Sequence, residues 1–452
     1  MDQHINPGRD TRKYSIIKAI ARIVFYLFYR KIHISGKENI PEGGSIIFAA
    51  NHQNALMDAL AVIFTNQYQP VYLARADIFK NPFIARILGV FKMMPVYRFR
   101  DGMDTMGQNH DTFESTSRVL GSGGCIGIMP EGNHGDQKRL RVLKKGIFRI
   151  AFKAGENSSS ADIKIVPVGL DYSKPAGFYE ELIVNYGRPL LVSDYMELYN
   201  GHPQKGINEM KNDLSESMRT LIIDIKDELN YDNDKLLMEL GNQVSEVGDR
   251  SKPDIFRKFK FSRAFCNCLY EFFDKHPDQA ADIRSDSRRL NELLDNHGFS
   301  ARSTVNLSKA GLLFARIKLI LCFPVYMTGA LLHLLPVAII HYRLKAIKDT
   351  QFMSSVKFVL GLFLVPLNYI ILFFLLIYFF TPVVSVAILA FVPVSGFLAY
   401  SCFKHSIKLK EVIIYNTKCR NEKKLAETIG DLRLNIIDKL QPVLTQAEEK
   451  QK

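Results

Sequence analysis

From Leu319 to Phe403 the chain is mostly apolar, and no other stretch limits its fold so sharply. A helix that crosses a bilayer needs about 20 consecutive apolar residues, because in lipid every backbone polar group must be paired within the spanning structure itself. Phe358 to Phe380 and Val383 to Phe403 meet that requirement cleanly, with Thr381-Pro382 as the turn between them. Leu319 to Ile340 has the length, but Pro324 and Pro336 interrupt it and Arg316 and Lys318 lie just before it. Basic residues precede the first run, separate the first from the second (Arg343, Lys345, Lys348, Lys357) and follow the third (Lys404, Lys408, Lys410). If all of them face the cytoplasm, as the cation excess of cytoplasmic loops favours, the last two runs form a hairpin and the first is re-entrant or half-buried. Lys408 to Lys452 then reads as a charged helical tail.

Hydrophobic residues make up 47% of the 452 positions, an ordinary share for a soluble protein, so their crowding into one region implies a water-soluble part of normal composition elsewhere. That length has room for about two or three domains. The net charge of +13 fits either nucleic acid or an anionic lipid surface, and the neighbouring apolar runs select the lipid bilayer as partner, with no nucleic acid expected. Of the six cysteines only Cys266 and Cys268 lie close together, in a helical stretch and without a second pair, which reads as unpaired thiols in a reducing compartment rather than a metal site.

The N-terminal half has a different pattern. Ile16 to Ile34 mixes apolar residues with Lys18, Arg22, Arg30 and Lys31; Lys18 and Arg22, four apart, share one helix face and leave an apolar face opposite. Cations inside the run disfavour a signal peptide or spanning helix, leaving a helix in the membrane interface or one packed on the following domain. From His33 to Asp171 short apolar runs alternate with helical periodicity, the mark of an α/β domain with a mixed sheet flanked by helices. Strands are expected at Ile32 to Ser35, Ser45 to Ala50, Val71 to Ala74, Met94 to Tyr97, Cys125 to Met129 and Ile163 to Leu170, and helices at Met57 to Thr65, Pro82 to Leu88, Met106 to Leu120 and Lys145 to Ala154. Gly121, Gly123 and Gly124 end the third of these helices. Farther on, Ile207 to Val247 carries apolar residues three and four apart and predicts one or two amphipathic helices. Phe256 to Leu294 carries an aromatic stripe, and Gln279 to Ser303 reads as a polar helix and linker.

Two strand ends carry chemistry. His52 follows the run Ser45 to Ala50 and stands six positions before Asp58, as a general base with its orienting carboxylate would. Glu131 and Gly132 follow the run Cys125 to Met129. Two such ends can form one site at one edge of a sheet.

The segments NHQNALMD, MPVYRFRDG, MPEGNHGD and IVPVGLDY, in that order between Asn51 and Tyr172, resemble the four blocks of the glycerol-3-phosphate and lysophosphatidic acid acyltransferase superfamily. The likeness runs from about Ile34 to Arg188. It implies transfer of a fatty acyl chain from acyl-CoA or acyl-carrier protein to a glycerol-phosphate hydroxyl; metal and nucleotide cofactors have no support in the sequence. His52 is then the base and Asp58 fixes its tautomer. The substrate hydroxyl attacks directly, so Cys125 is expected in the core. The resemblance further implies Arg98 for the phosphate, with Arg100 as its helper or a surface cation, Glu131 and Gly132 for the glycerol backbone, and Pro167 and Gly169 on the acyl-binding side.

Two departures stand out. Five residues, Gln53 to Met57, separate His52 from Asp58 where the usual block has four, a spacing similar to that of the branch acting on glycerol-3-phosphate and dihydroxyacetone phosphate. The hydroxyl-Arg pair that often follows Glu-Gly is replaced by Asn133 and His134, and Lys138, Arg139, Arg141 or Lys144 can supply the missing charge. His134 itself reads as a loop histidine rather than a second base.

The organisation expected is an interfacial helix over residues 1–35, a catalytic domain over 36–250, a helical linker over 251–312, a membrane segment over 313–404 and the tail over 405–452, with catalysis at the cytoplasmic face. The favoured acceptor is 1-acyl-glycerol-3-phosphate, then glycerol-3-phosphate. An acceptor without phosphate would not need Arg98, and a non-catalytic lipid-binding protein would not need His52, Asp58, Arg98 and Glu131 together.

Overall fold

The computed structural model describes residues 12–96, 114–157, 162–248, 254–304 and 307–451. They form two compact units, one running to Asp224 and taking in Ile347–Val359, the other built from Ile225–Ala346 and Leu360–Lys452. The first unit therefore ends before the boundary at 250 expected from periodicity, and it recovers a short segment from far downstream.

In the first unit the described strands are β1 (Lys31–Ser35), β2 (Ser45–Ala50), β3 (Val71–Arg75), β4 (Met93–Val96), β5 (Cys125–Ile128), β6 (Ile163–Tyr172), β7 (Glu181–Tyr186) and β8 (Leu190–Leu191). They make a mixed sheet in the order β1-β7-β6-β2-β5-β3-β4, with β8 paired to β6. Strands β2, β5, β3 and β4 run parallel, and β6 joins β2 in parallel; β7 runs antiparallel to β6. The central strand β2 is buried along its whole length, as a strand covered on both faces requires. Six of the strands fall where the apolar runs place them. Strand β7 was not anticipated: its sequence, ELIVNY, pairs in parallel with β1, about 150 positions earlier in the chain.

Helices α1 (Arg12–Phe28), α2 (Leu56–Thr65), α3 (Pro82–Val90), α4 (Gly146–Asn157), α5 (Ser193–Gly201) and α6 (Pro203–Arg219) accompany the sheet. One core cluster joins α1 and α2 to one set of sheet side chains, including Phe25, Phe48, Phe64 and Tyr186. A second joins α4 and α6 to the other set, including Ile47, Phe148, Phe152 and Met210. On α1 both expectations meet: Ala21, Phe25 and Phe28 are buried, while Ile16, Ile20, Ile23 and Leu27 form an exposed apolar stripe on the same helix. Such a stripe, spaced four, three and four residues, suits an interfacial helix.

The second unit is helical throughout its described residues: α7 (Tyr231–Gly248), α8 (Ile255–Lys275), α9 (Pro277–Asn296), α10 (Lys309–Leu332), α11 (Leu334–Leu344), the greater part of α12 (Met353–Phe379), α13 (Pro382–Asn421), α14 (Lys423–Lys439) and α15 (Gln441–Gln451), with short 3-10 turns. The aromatic stripe of α8 is core: Phe261, Phe265, Leu269 and Phe273 are buried. Cys266 and Cys268 are buried there as free thiols.

Three helices, α10, α12 extended by its preceding turn, and α13, are long and apolar enough to cross a membrane. The run Leu319 to Ile340 is divided between α10 and α11; α10 has 24 residues, continues through Pro324 and is about 36 Å long at 1.5 Å per residue. It breaks at His333, whose ring hydrogen-bonds the Gly329 carbonyl at 2.9 Å and the Tyr369 hydroxyl at 3.2 Å. Gly329 lies against Ser395 and Ala399 of α13, the close backbone approach that small residues permit between apolar helices.

Candidate active site

Strands β2 and β5 are neighbours, with Ala49 opposite Ile128, so the segments that leave their C-terminal ends meet. His52 follows β2. Its backbone N–H donates to Glu131 Oε1 at 3.0 Å, and its carbonyl accepts from Gly135 N at 3.2 Å and from Arg141 Nη2 at 2.8 Å. The two loops are thereby tied together.

Asp58 lies in the first turn of α2 and is fully buried. Its Oδ2 lies 2.8 Å from His52 Nδ1 and accepts from the backbone N–H groups of Gln53 at 2.9 Å and Asn54 at 2.7 Å. Its Oδ1 accepts from the Tyr172 hydroxyl at 2.7 Å. A buried carboxylate with that many donors is held in place, and the N-terminal end of α2 adds favourable dipole potential. In return, Asp58 and burial push the Tyr172 phenol far above its ordinary range, burial being the larger cause. The Nδ1 hydrogen bond to Asp58 leaves Nε2 as the ring atom that can exchange a proton with a substrate.

One backbone conformation stands out in the five-residue interval between His52 and Asp58. Ala55, immediately before α2, has φ 45° and ψ −121°, outside the regions open to L-residues. Such a conformation costs about 1–3 kcal/mol, and glycine adopts it freely at about 0.5–1 kcal/mol of chain entropy. Ala55→Gly is therefore expected to raise the thermal midpoint of the detergent-solubilised protein modestly; a lowered midpoint would show that the loop carries no strain.

Glu131 is buried and accepts from Arg141 Nε at 2.5 Å. Burial pushes its carboxyl above the ordinary value, and the Arg141 guanidinium and the His52 N–H pull it back only in part. Gly132 has φ 72° and donates to the Met129 carbonyl at 3.0 Å, so this turn requires glycine for its own conformation.

Residues 31–171 match the family model described as Acyltransferase. The 1-acyl-sn-glycerol-3-phosphate acyltransferase of Borreliella burgdorferi is 28% identical over 211 residues, 47% of this chain and 76% of that protein. Glycerol-3-phosphate O-acyltransferase 2 of Saccharomyces cerevisiae is 30% identical over 111 residues, 24% of this chain and 15% of the yeast protein. Residues 31–171 are therefore an acyltransferase domain, similar in sequence to proteins named as glycerol-phosphate acyltransferases. A crystal structure of the 1-acyl-sn-glycerophosphate acyltransferase of Thermotoga maritima aligns with 45% of this chain and 84% of its own, at 18% identity and a TM-score of 0.31.

Within the acyltransferase domain, His52, Asp58, Glu131 and Gly132 come together. Arg98 and Arg100 lie outside the described residues. Of the substitute cations, Arg141 is engaged with Glu131, His52 and the Asn133 carbonyl, and Lys138 with Asp171 and the Tyr172 carbonyl. Lys144 is exposed, its side chain beside Gly132, which places a cation at the third block. The His134 ring stands edge-on to that of His52, centroids 5.4 Å apart. Cys125 is buried in β5, where burial pushes its thiol up to about 11, an inert state for a nucleophile. At Gly169, a side chain would run into the Leu221 backbone. Tyr172 and Asn54, both inside quoted blocks, gave no signal of their roles, since their partners lie far away in sequence.

Proposed function

We propose that this protein acylates 1-acyl-glycerol-3-phosphate to phosphatidic acid, taking the acyl chain from acyl-CoA or acyl-carrier protein. The hydrogen-bonded pair of His52 Nδ1 and Asp58 Oδ2 carries the reading. The acceptor hydroxyl attacks the thioester carbonyl carbon and gives its proton to His52 Nε2. The tetrahedral intermediate collapses, the C–S bond breaks, and the imidazolium returns the proton to the leaving thiolate. Asp58 stabilises the imidazolium throughout. Glu131, fixed by Arg141, orients the glycerol backbone, with Gly132 beside it, and Arg98, helped by Arg100 and Lys144, holds the phosphate. No metal or other cofactor takes part in this scheme.

Glycerol-3-phosphate itself is the second acceptor to weigh. The five-residue interval in the first block favours it, as does the likeness to a yeast protein named for that acceptor. Purified protein in detergent micelles, given labelled acyl-CoA or acyl-carrier protein with each acceptor in turn, tests both. Product from the 1-acyl form at the higher kcat/KM is expected; preference for glycerol-3-phosphate would exchange the two readings, and no product from either would remove both.

Catalysis at the cytoplasmic face follows from the cations that flank the apolar helices. A Thr381→Cys substitution, in a background without the native cysteines, is expected to react with an impermeant thiol reagent from the outside of intact cells. Labelling only after permeabilisation would overturn that orientation.

A further inference from the structure

Residues 349–358 return to the first unit from about 300 positions downstream of the catalytic loop, beyond the stretch matched by the family model. They bring six side chains to it. Phe358 is buried against Phe25 and Phe28 of α1, with ring centroids 6.4 and 5.8 Å apart. Lys357 Nζ donates to the Ala176 carbonyl at 2.6 Å. Phe352 meets the His134 ring edge-on at 4.9 Å, and Asp349 Oδ2 lies 3.9 Å from His134 Nε2. Ser354, fully buried in the first turn of α12, donates its hydroxyl hydrogen bond to Asn54 Oδ1. Ser355, also buried, has no hydrogen-bond partner for its hydroxyl among the described residues.

Asn54 is the residue on which this segment acts. It is fully buried; its Nδ2 donates to the Pro175 carbonyl at 2.9 Å, its carbonyl accepts from Met57 N at 2.9 Å, and its own N–H donates to Asp58 Oδ2 at 2.7 Å. With Ser354 in place, its side-chain amide is bonded at both ends. Without that hydroxyl, a buried amide oxygen loses its donor, and the peptide that helps fix Asp58 is released on one side.

We infer that residues 349–358 brace the active site and that Ser354 is a positioning residue for the His52–Asp58 pair, acting through Asn54. The inference rests on the reading of His52 as the base. A displacement of the base by about 1 Å can lower turnover a hundredfold, so a hydroxyl two residues removed from the reacting atoms has measurable leverage. The brace also explains why a serine stands here at the head of an apolar helix: its hydroxyl serves a loop rather than its own helix.

The test is steady-state acyl transfer by the full-length protein in micelles. Ser354→Ala is expected to lower kcat about tenfold while both KM values stay within about twofold, and Ser354→Thr, which keeps the hydroxyl, to recover most of the loss. Ser355→Ala, which removes an unpartnered hydroxyl from the same turn, is expected to match wild type. In the Asn54→Ala background, Ser354→Ala is expected to add nothing, since coupled residues are not additive. Wild-type kcat in Ser354→Ala would overturn the inference, as would equal losses in Ser354→Ala and Ser355→Ala, or additive losses in the double variant. If His52→Ala abolishes product while Ser354→Ala does not change kcat, the brace alone falls. If His52→Ala keeps wild-type turnover, the reading of the site falls and takes the brace with it.

Discussion

His52→Ala is expected to lower single-turnover acyl transfer by about a thousandfold or more, within the range that a positioned general base contributes. The size follows from the lack of a substitute. The group of similar chemistry nearby is His134, whose ring centre is 5.4 Å from that of His52 and whose Nε2 side faces Asp349 rather than the Asp58 carboxylate. A group displaced that far cannot take the same proton in the same transition state. His134→Ala is accordingly expected to cost less than about tenfold. The substitution at His52 removes a side chain that is 18% exposed and leaves the backbone bonds from His52 to Glu131 and Arg141 in place, so the fold should hold. Folded His52→Ala with a rate within tenfold of wild type would eliminate it as the base.

Glu131→Ala is expected to reduce both activity and stability, by about a hundredfold and about 3 kcal/mol, the cost typical of breaking a buried ion pair from one side. It strands the His52 N–H and one edge of the Arg141 guanidinium. Glu131→Gln should be much milder in stability, because a side-chain oxygen remains for the His52 N–H while Arg141 keeps two carbonyl partners. The sign of the pH effect agrees. Burial, the larger influence, holds the carboxyl above its ordinary value, so the native state binds this proton more tightly than the unfolded chain does. This group's contribution to stability is then fully present below the ordinary carboxylate value and is lost as pH rises through the raised one. Thermal midpoints in detergent across mildly acidic pH are expected to fall less steeply in Glu131→Gln than in wild type. An equal slope would show that Glu131 is not the group responsible.

The legible parts of this protein were those encoded locally. Ser45–Ala50 could be read as a strand because its six residues suit a site buried on both faces, and the pairs His52 with Asp58 and Glu131 with Gly132 could be picked out as candidates because each follows a strand within a few positions. What escaped notice depends on distant partners. Strand β7 is specified by β1 and β6 on either side of it, and its short sequence has no alternation to announce it. Arg141 was one of several cations in a basic loop, and only the return of the loop past Glu131 distinguishes it. Tyr172 contacts Asp58 from 114 positions away and Ser354 contacts Asn54 from 300; neither spacing leaves a pattern in a single sequence. Proline disfavours helix interiors, which predicts breaks at Pro324 and Pro336; the helix passes through Pro324, and the break comes at His333, with Pro336 in the first turn of the next helix.

Ala55 alters how the first block of such enzymes should be searched for. On the proposed mechanism, what catalysis needs is a landing point: a carboxylate in the first turn of a helix, with Oδ2 facing an imidazole nitrogen and two loop amides. The number of letters between histidine and aspartate is free to vary wherever one backbone can turn sharply enough to absorb the surplus. A pattern that insists on four intervening residues would pass over this chain, whereas one written as a distance between two atoms would find it.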